Sequence, residues 1–335
     1  MTQVAVMGAG SWGTAFAALA IAAGSDVRLW ARREQVAAEV NDRHTNHEYL
    51  PDAELPGTLR ATADPAEALA GADVVVVAVP STHVVAQLEA WGSAIEPDAT
   101  LVSLIKGVDV ATHRFGSGTI AATLDADPNR VVVVSGPNLA RECVAGHPAA
   151  TVAACADLAR AEQVQQAVMS PRFRVYTSPD REGVEVGGAV KNVLAIASGM
   201  AYGRGFGDNT LAAVITRGLA EMMRFGVARG ADPLTFSGLA GVGDLVATCT
   251  STQSRNHTVG RRLGGGEALA DIIADMNMIA EGVKSSRAIV DLAEDAGVEM
   301  PISEAVVRVL HEGQDLDEAV GALLTRSPKP EHYGM

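Results

Sequence analysis

Short apolar runs alternate with helical stretches over about the first 175 residues of the chain. Each run is four to six residues long and bounded by polar or turn-forming residues, as a buried strand would be, and strands that alternate with helices predict a doubly wound, parallel α/β sheet. The predicted strands are Val4–Met7, Val27–Trp30, Val74–Val79, Thr100–Leu104, Val131–Val134, Thr151–Ala154 and Phe173–Tyr176. The predicted helices between them include Thr14–Ala23, Pro65–Ala70 and Val84–Trp91.

The pattern changes after Pro179, where strand-like runs stop and long helical stretches begin. Helices are predicted from Gly183 to about Met200 and from Asn209 to Arg229, with shorter ones following. We therefore expect two domains: an α/β dinucleotide-binding domain over residues 1–180 and an all-α domain over residues 181–335.

Three glycines in G-x-G-x-x-G spacing lie between the first strand and the first helix. In such a unit Gly8 permits a sharp turn, Gly10 lets backbone approach a pyrophosphate, and Gly13 lets the helix pack closely on the strand. The amides at the helix start favour the phosphates' negative charge. This context predicts a dinucleotide site, with Ser11 and Trp12 at the loop tip against the cofactor.

The end of the second strand is where such folds bind the adenosine ribose. An acidic residue there would bind the 2′-hydroxyl of NAD(H), whereas this chain has Arg32 and Arg33. Two cations suit a 2′-phosphate, so we expect NADP(H) to be accepted. The alternative is that one or both arginines only begin the next helix on a solvated face, and this alternative is stronger for Arg33.

Composition restricts the function classes. The formal net charge of −14 over 335 residues argues against nucleic acid or anionic membrane as a general partner, but not against an anionic substrate in a local basic pocket. Cys143, Cys155 and Cys249 are far apart, so neither a disulfide framework nor a metal cluster is expected. With no long apolar run or basic leader, we expect a soluble cytoplasmic protein.

Lys191 and Asn192 interrupt a helix that is otherwise apolar almost all round. A buried lysine needs a partner or a purpose, because desolvating an ammonium is costly, and its lowered pKa suits proton exchange near neutrality. We therefore expect Lys191 to be catalytic, although its side chain could instead reach solvent.

Other polar residues lie where ligands bind in α/β proteins. Lys106 directly follows a predicted strand and could hold a phosphate or polarise a carbonyl, unless it is a surface lysine. Asp244 and Thr248 are four residues apart, on one face if the segment is helical. Arg255 is flanked by Ser254 and Asn256. It could equally bind a phosphate or form a surface salt bridge.

These segments together resemble bacterial NAD(P)-dependent glycerol-3-phosphate dehydrogenase. The motifs that carry the resemblance occur in the same order, from Val4 to about Leu324: GAGSWGTAFA, AVPS, LIKG, SGPNLA, VGGAVKNVLAI, ITRGLAEM, GLAGVGDLVATCTS, QSRN and AEGV. The resemblance implies an N-terminal Rossmann-type domain and an enzyme that interconverts sn-glycerol 3-phosphate and dihydroxyacetone phosphate, supplying glycerol 3-phosphate for phospholipids.

The resemblance also implies roles for individual residues. Lys191 is expected to exchange a proton with the reacting oxygen, Lys106 to contact substrate and cofactor, and Arg255 to bind the phosphate. The expected cofactor contacts are Gly8, Gly10, Ser11, Trp12, Gly13, Arg32, Arg33, Lys106, Ala140, Arg255, Ile279 and Glu281. The expected substrate contacts are Lys106, Gly136, Asn138, Lys191, Asn192, Asp244, Thr248, Ser254, Arg255 and Asn256, where the family more often has Ser or Thr at the position of Asn138.

Two other functions stay open on the residues alone. A 3-hydroxyacid or 2-ketoacid reductase would share the nucleotide motif and the buried lysine, but it would act on a carboxylate and have less need of Arg255. A non-catalytic NADP(H) sensor would have no use for Lys191. A homodimer through the helical part is compatible with the sequence, although no motif specifies the oligomeric state.

Overall fold

The computed structural model describes residues 1–276 and 280–331, and they divide into two units. One contains residues Met1–Ile105 and Arg114–Glu185, and the other contains Lys106–His113 and the chain from Val186 onward. No helix in these described ranges is long and apolar enough to cross a membrane.

The first unit is built on strands and the helices that connect them. The strands are β1 (Gln3–Met7), β2 (Asp26–Trp30), β3 (Arg60–Thr62), β4 (Val74–Val77), β5 (Thr100–Ser103), β6 (Val108–Asp109, which belongs to the second unit), β7 (Arg114–Phe115), β8 (Val131–Ser135), β9 (Ala149–Ala154) and β10 (Phe173–Ser178). The helices are α1 (Ser11–Ala22), α2 (Glu34–Arg43), α3 (Pro65–Leu69), α4 (Val84–Trp91), α5 (Gly116–Leu124), α6 (Ala140–Val144) and α7 (Leu158–Val168).

Eight strands form one sheet in the order β10-β9-β8-β5-β4-β1-β2-β3. Val4 and Val6 pack in the core on one face, while Ala5 and Met7 pack on the other, which is why the central strands are apolar throughout. The predicted α/β architecture with a following helical part is confirmed.

The sheet is not parallel throughout, because β8 and β9 pair antiparallel while β9 and β10 are parallel to each other. The link between β8 and β9 contains only the five-residue helix α6, which is too short to carry the chain back across the sheet. The expectation of a wholly parallel sheet is therefore corrected for this edge.

The second unit is helical apart from β6. Its helices are α8 (Arg181–Gly203, which begins in the first unit), α9 (Asp208–Ala228), α10 (Asp244–Thr250), α11 (Arg255–Gly264), α12 (Leu269–Asp275), α13 (Glu281–Asp295), α14 (Pro301–His311) and α15 (Leu316–Leu324). A one-turn π-helix, Leu239–Gly243, directly precedes α10. Among the described residues no strand follows Ser178, as the sequence pattern predicts.

Helices α8 and α11 cross with their backbones in contact, and glycines make this crossing sterically feasible. A Cβ on Gly199 would lie 2.2 Å from the carbonyl oxygen of His257, and one on Gly260 would lie 2.0 Å from that of Ile196. Gly203 and Gly264 extend the same contact by a further turn. The crossing fixes the position of α11 against the helix that carries Lys191.

Candidate active site

The glycine loop of the first unit has the geometry expected of a dinucleotide site. Gly8 has a φ of +133°, and a Cβ on Gly13 would lie only 2.0 Å from the carbonyl oxygen of Gly8, so both must be glycine for the loop itself to form. A Cβ on Gly10 would meet no atom within 4 Å. The protein thus leaves open space beside Gly10, where a pyrophosphate would approach the backbone.

Ser11 and Trp12 are the first two residues of α1, where the backbone N–H groups of a helix start can bind a phosphate. The Oγ of Ser11 donates to the carbonyl oxygen of Tyr49 at 2.8 Å. The Nε1 of Trp12 is buried and has no hydrogen-bond partner within the described part of the chain. This loop therefore fits a dinucleotide, both in the space that it leaves and in the donors that it presents.

Arg32 and Arg33 are exposed and follow β2 after one residue, Ala31. The guanidinium of Arg33 forms an ion pair with the carboxylate of Glu48, and its pKa is raised chiefly by that hydrogen bond. Arg32 therefore stands as the stronger candidate for a 2′-phosphate contact.

Gly136, Asn138 and Ala140 lie after β8 in the first unit. Gly136 packs against β9, because a Cβ there would lie 2.9 Å from the Cα of Thr151. The Nδ2 of Asn138 donates to the carbonyl oxygen of Ala150 at 2.9 Å, while its Oδ1 is buried without a partner in the described residues. Ala140 is the first residue of α6.

In the second unit, two lysines share one buried carboxylate. Lys191 and Asp244 are 6% and 1% exposed. The Nζ of Lys191 donates to Oδ1 of Asp244 and, at 2.9 Å, to Oγ1 of Thr248. The Nζ of Lys106 donates to the other oxygen, Oδ2 of Asp244, at 2.8 Å. One buried carboxylate thus holds two ammonium groups in fixed positions.

The electrostatics of this cluster suit proton transfer near neutral pH. Burial and, to a smaller extent, the charge of Lys106 lower the pKa of Lys191 to about 7, although the charge of Asp244 opposes this shift. Burial alone would raise the pKa of Asp244, but Lys106 and Lys191 together hold it below its usual range. With both lysines charged, the cluster carries a net positive charge in a chain whose total is −14.

The segment before α10 brings Asp244 to Lys191. A Cβ on Gly187 would lie 2.4 Å from the carbonyl oxygen of Ala240, so this glycine lets the π-helix pack against α8. The hydroxyl of Thr248 donates to the carbonyl oxygen of Asp244 at 2.6 Å, one turn back along α10. Sequence reasoning missed Gly187, although the Gly-Gly pair inside an apolar helix was a visible signal.

A chain of amides connects the backbone of Lys106 to the start of α13. The N–H of Gly282 donates to Oδ1 of Asn256 at 3.0 Å, and Nδ2 of Asn256 donates to Oδ1 of Asn192 at 2.8 Å. The Nδ2 of Asn192 then donates to the carbonyl oxygen of Lys106 at 2.8 Å. Because a backbone N–H can only donate, both side-chain amides have one consistent orientation.

The residues that are predicted to bind a phosphate lie at the start of α11. The Oγ of Ser254 accepts from the N–H of His257 at 3.2 Å and caps the helix. Arg255 is the first residue of α11 and is exposed. Its pKa is lowered by the partial desolvation of the guanidinium, and the charge of Glu281 opposes this shift. Glu281 is the first residue of α13, and the predicted contact Ile279 lies outside the described residues.

Comparisons with known proteins agree over both units. Residues 3–161 match the N-terminal family "NAD-dependent glycerol-3-phosphate dehydrogenase N-terminus", and residues 180–321 match its C-terminal counterpart. The chain is 54% identical over 332 residues to a glycerol-3-phosphate dehydrogenase [NAD(P)+] of Corynebacterium aurimucosum, covering 99% of this chain and 100% of the relative. A Streptomyces griseus protein of the same name is 53% identical, covering 98% of each.

Solved structures give the same result. The crystal structure of glycerol-3-phosphate dehydrogenase from Coxiella burnetii superposes with a TM-score of 0.89 at 36% identity, covering 97% of this chain and 99% of that one. The similarity thus covers nearly the whole length of both chains.

Proposed function

Because the chain belongs to the NAD-dependent glycerol-3-phosphate dehydrogenase family, we propose that it interconverts sn-glycerol 3-phosphate and dihydroxyacetone phosphate. In this proposal residues 1–180 bind NAD(H) or NADP(H) and also supply Lys106, Gly136 and Asn138, and residues 181–335 carry the other substrate and catalytic groups. The product glycerol 3-phosphate would serve glycerophospholipid synthesis. The observation that carries the proposal is the pair of lysines on one buried carboxylate.

The cluster explains how the protein would handle the proton. When bound, the nicotinamide cofactor supplies the hydride. As the ketone is reduced, its oxygen gains negative charge, and the Nζ of protonated Lys191 donates the proton that forms the hydroxyl. With a pKa of about 7, Lys191 can donate this proton in one direction and accept it in the other.

Lys106 and Asp244 support the same step without exchanging the proton themselves. The ammonium of Lys106 stabilises the developing charge on the oxygen, in a setting where burial strengthens the interaction. Asp244 holds both ammonium groups and keeps Lys191 charged until it transfers its proton. Asn192 fixes the backbone at Lys106 through its hydrogen bond.

Arg255 is proposed to bind the substrate phosphate. It opens α11, where the helix dipole and unpaired N–H groups also favour an anion, and Ser254 and Asn256 flank it. Binding energy from the phosphate would align the three-carbon substrate for reaction. A carboxylate substrate would make less use of this group of residues.

The test is oxidation of NADPH and of NADH, followed at 340 nm, with dihydroxyacetone phosphate and with 2-keto acids as alternative substrates. We expect rapid oxidation of the cofactor with dihydroxyacetone phosphate and not with the 2-keto acids. Faster turnover of a 2-keto acid would assign the chain to the reductase alternative. Binding of NADPH without turnover of any substrate would favour the sensor.

We also propose a cytoplasmic homodimer formed through the helical unit. Leu324 and Leu234, both in this unit, expose 81% and 76% of their surface. Sedimentation equilibrium at micromolar concentration tests the proposal, and a monomer throughout would refute it.

A further inference from the structure

The loop that follows α2 is attached directly to the glycine loop. Asn46 is fully buried, and its Nδ2 donates to the carbonyl oxygen of Ala9 and to Oγ1 of Thr14, each at 2.9 Å. The hydroxyl of Ser11 donates to the carbonyl oxygen of Tyr49 at 2.8 Å. We name residues 46–50 the anchored loop, since three hydrogen bonds fix its position relative to the dinucleotide motif.

The anchored loop places an acid beside one of the two arginines that follow β2. The carboxylate of Glu48 pairs with the guanidinium of Arg33, and these side chains are 46% and 43% exposed. The guanidinium carbon of Arg33 also lies 5.9 Å from the centre of the Tyr49 ring. Arg33 is therefore held by the loop from two sides, whereas Arg32 is exposed beside it.

The charges around the adenosine ribose, after the second strand, decide whether a dinucleotide fold prefers NAD(H) or NADP(H). An acid near the ribose accepts a hydrogen bond from the 2′-hydroxyl of NAD(H) and repels the 2′-phosphate of NADP(H), while arginines attract that phosphate. This chain has both an acid, Glu48, and two arginines, Arg32 and Arg33, after its second strand. Arg33 is already neutralised by Glu48, which leaves a smaller attraction for a phosphate than two arginines would exert.

We propose that Glu48 is a specificity-determining residue, whose carboxylate neutralises Arg33 and limits the preference for NADP(H) so that NAD(H) is also used. Arg32 then provides the main contact to a 2′-phosphate. The inference rests on the proposed function, because it assigns a role at the same cofactor site. It predicts that the loss of the acid, and not a change elsewhere in the loop, shifts the preference.

The test is Glu48→Gln, measured by the dissociation constants of NADPH and NADH for the intact protein in fluorescence titrations. We expect the dissociation constant of NADPH to fall about three- to fivefold and that of NADH to change by less than about 1.5-fold. Adenosine 2′,5′-bisphosphate should follow NADPH, and 5′-AMP should follow NADH. The matched control is Glu54→Gln, which removes the same charge from an exposed position nearby and should change neither constant.

A double variant separates this inference from a general effect of charge. In an Arg33→Ala background, Glu48→Gln should improve NADPH binding less than it does in the wild type, because the arginine that it releases is absent and only the direct repulsion between carboxylate and phosphate is relieved. Equal changes for both cofactors, weaker NADPH binding, or an equally large gain without Arg33 would each overturn the inference. These results would leave the proposed function intact, whereas a wild-type protein that binds neither cofactor would overturn both.

Discussion

Replacing Asp244 by Asn removes the one carboxylate that holds Lys106 and Lys191 while keeping nearly the same shape. Without this charge, the ammonium of Lys191 stays buried beside that of Lys106, and its pKa must fall below about 7. Ketone reduction needs protonated Lys191, so its rate should decline as pH rises through that pKa. Alcohol oxidation needs neutral Lys191 and should rise over the same range.

The size of the effect follows from the protonated fraction. At pH 7, a pKa of about 7 leaves roughly one half of Lys191 protonated. If losing an adjacent carboxylate lowers the pKa by about 2 units, the protonated fraction falls to about 1%, and ketone reduction slows about fiftyfold. The variant should also be less stable, because Lys106 loses its ion-pair partner and Lys191 loses a hydrogen-bond acceptor for its Nζ.

The assay is the pH dependence of kcat/KM for ketone reduction, recorded for wild type and Asp244→Asn after circular dichroism has shown that the variant is folded. The midpoint of the Asn variant should lie at lower pH, so that part of the lost rate returns under acidic conditions. Thr248→Val, which removes a neutral partner of Lys191, should move the midpoint less. An unchanged midpoint in Asp244→Asn would refute the reasoning.

Three further predictions follow from other parts of the molecule. Arg255→Ala should raise KM for dihydroxyacetone phosphate by about ten- to a hundredfold, since a charged hydrogen bond to phosphate is lost, and an unchanged KM would reject its assignment. Arg32→Ala should weaken NADPH binding by about tenfold or more while sparing NADH, as titration of both would reveal. Gly260→Ala should lower Tm by several degrees because its Cβ would meet the Ile196 carbonyl oxygen at 2.0 Å, whereas Gly321→Ala, in a helix with open space, should maintain or raise it.

The parts of the structure that local patterns specify could be predicted from the sequence. The glycine spacing predicted a strand, a tight loop and a helix, although α1 begins at Ser11 rather than Thr14. The apolar helix around Lys191 indicated that this lysine is buried, and it is. In both cases neighbouring residues carry the signal, so no distant contact needs to be known.

Features that depend on distant residues could not be predicted in the same way. The pattern of apolar residues does not distinguish parallel from antiparallel neighbours, so the direction of β9 was missed. Asn192 and Asn256 are 64 residues apart, and only the crossing of α8 with α11 brings their amides together. Helix α5 contains two glycines in its first turn, and this local pattern favours a loop over a helix.

The pairing of Arg33 with Glu48 has a similar origin. The two residues are 15 positions apart and lie on either side of α2, and no local sequence pattern indicates that they pair. The sequence already favoured Arg32 over Arg33 as a phosphate contact, and the structure adds that Arg33 is paired with Glu48.

The central claim is that Lys191 exchanges the proton with the reacting oxygen, and Lys191→Ala tests it most directly. Oxidation of NADPH by saturating dihydroxyacetone phosphate should be followed at 340 nm, with the NADPH dissociation constant measured on the same preparation. The account predicts that kcat falls by about 10²- to 10⁴-fold while the dissociation constant changes less than about twofold. A kcat within about tenfold of wild type, with NADPH still bound, would contradict it.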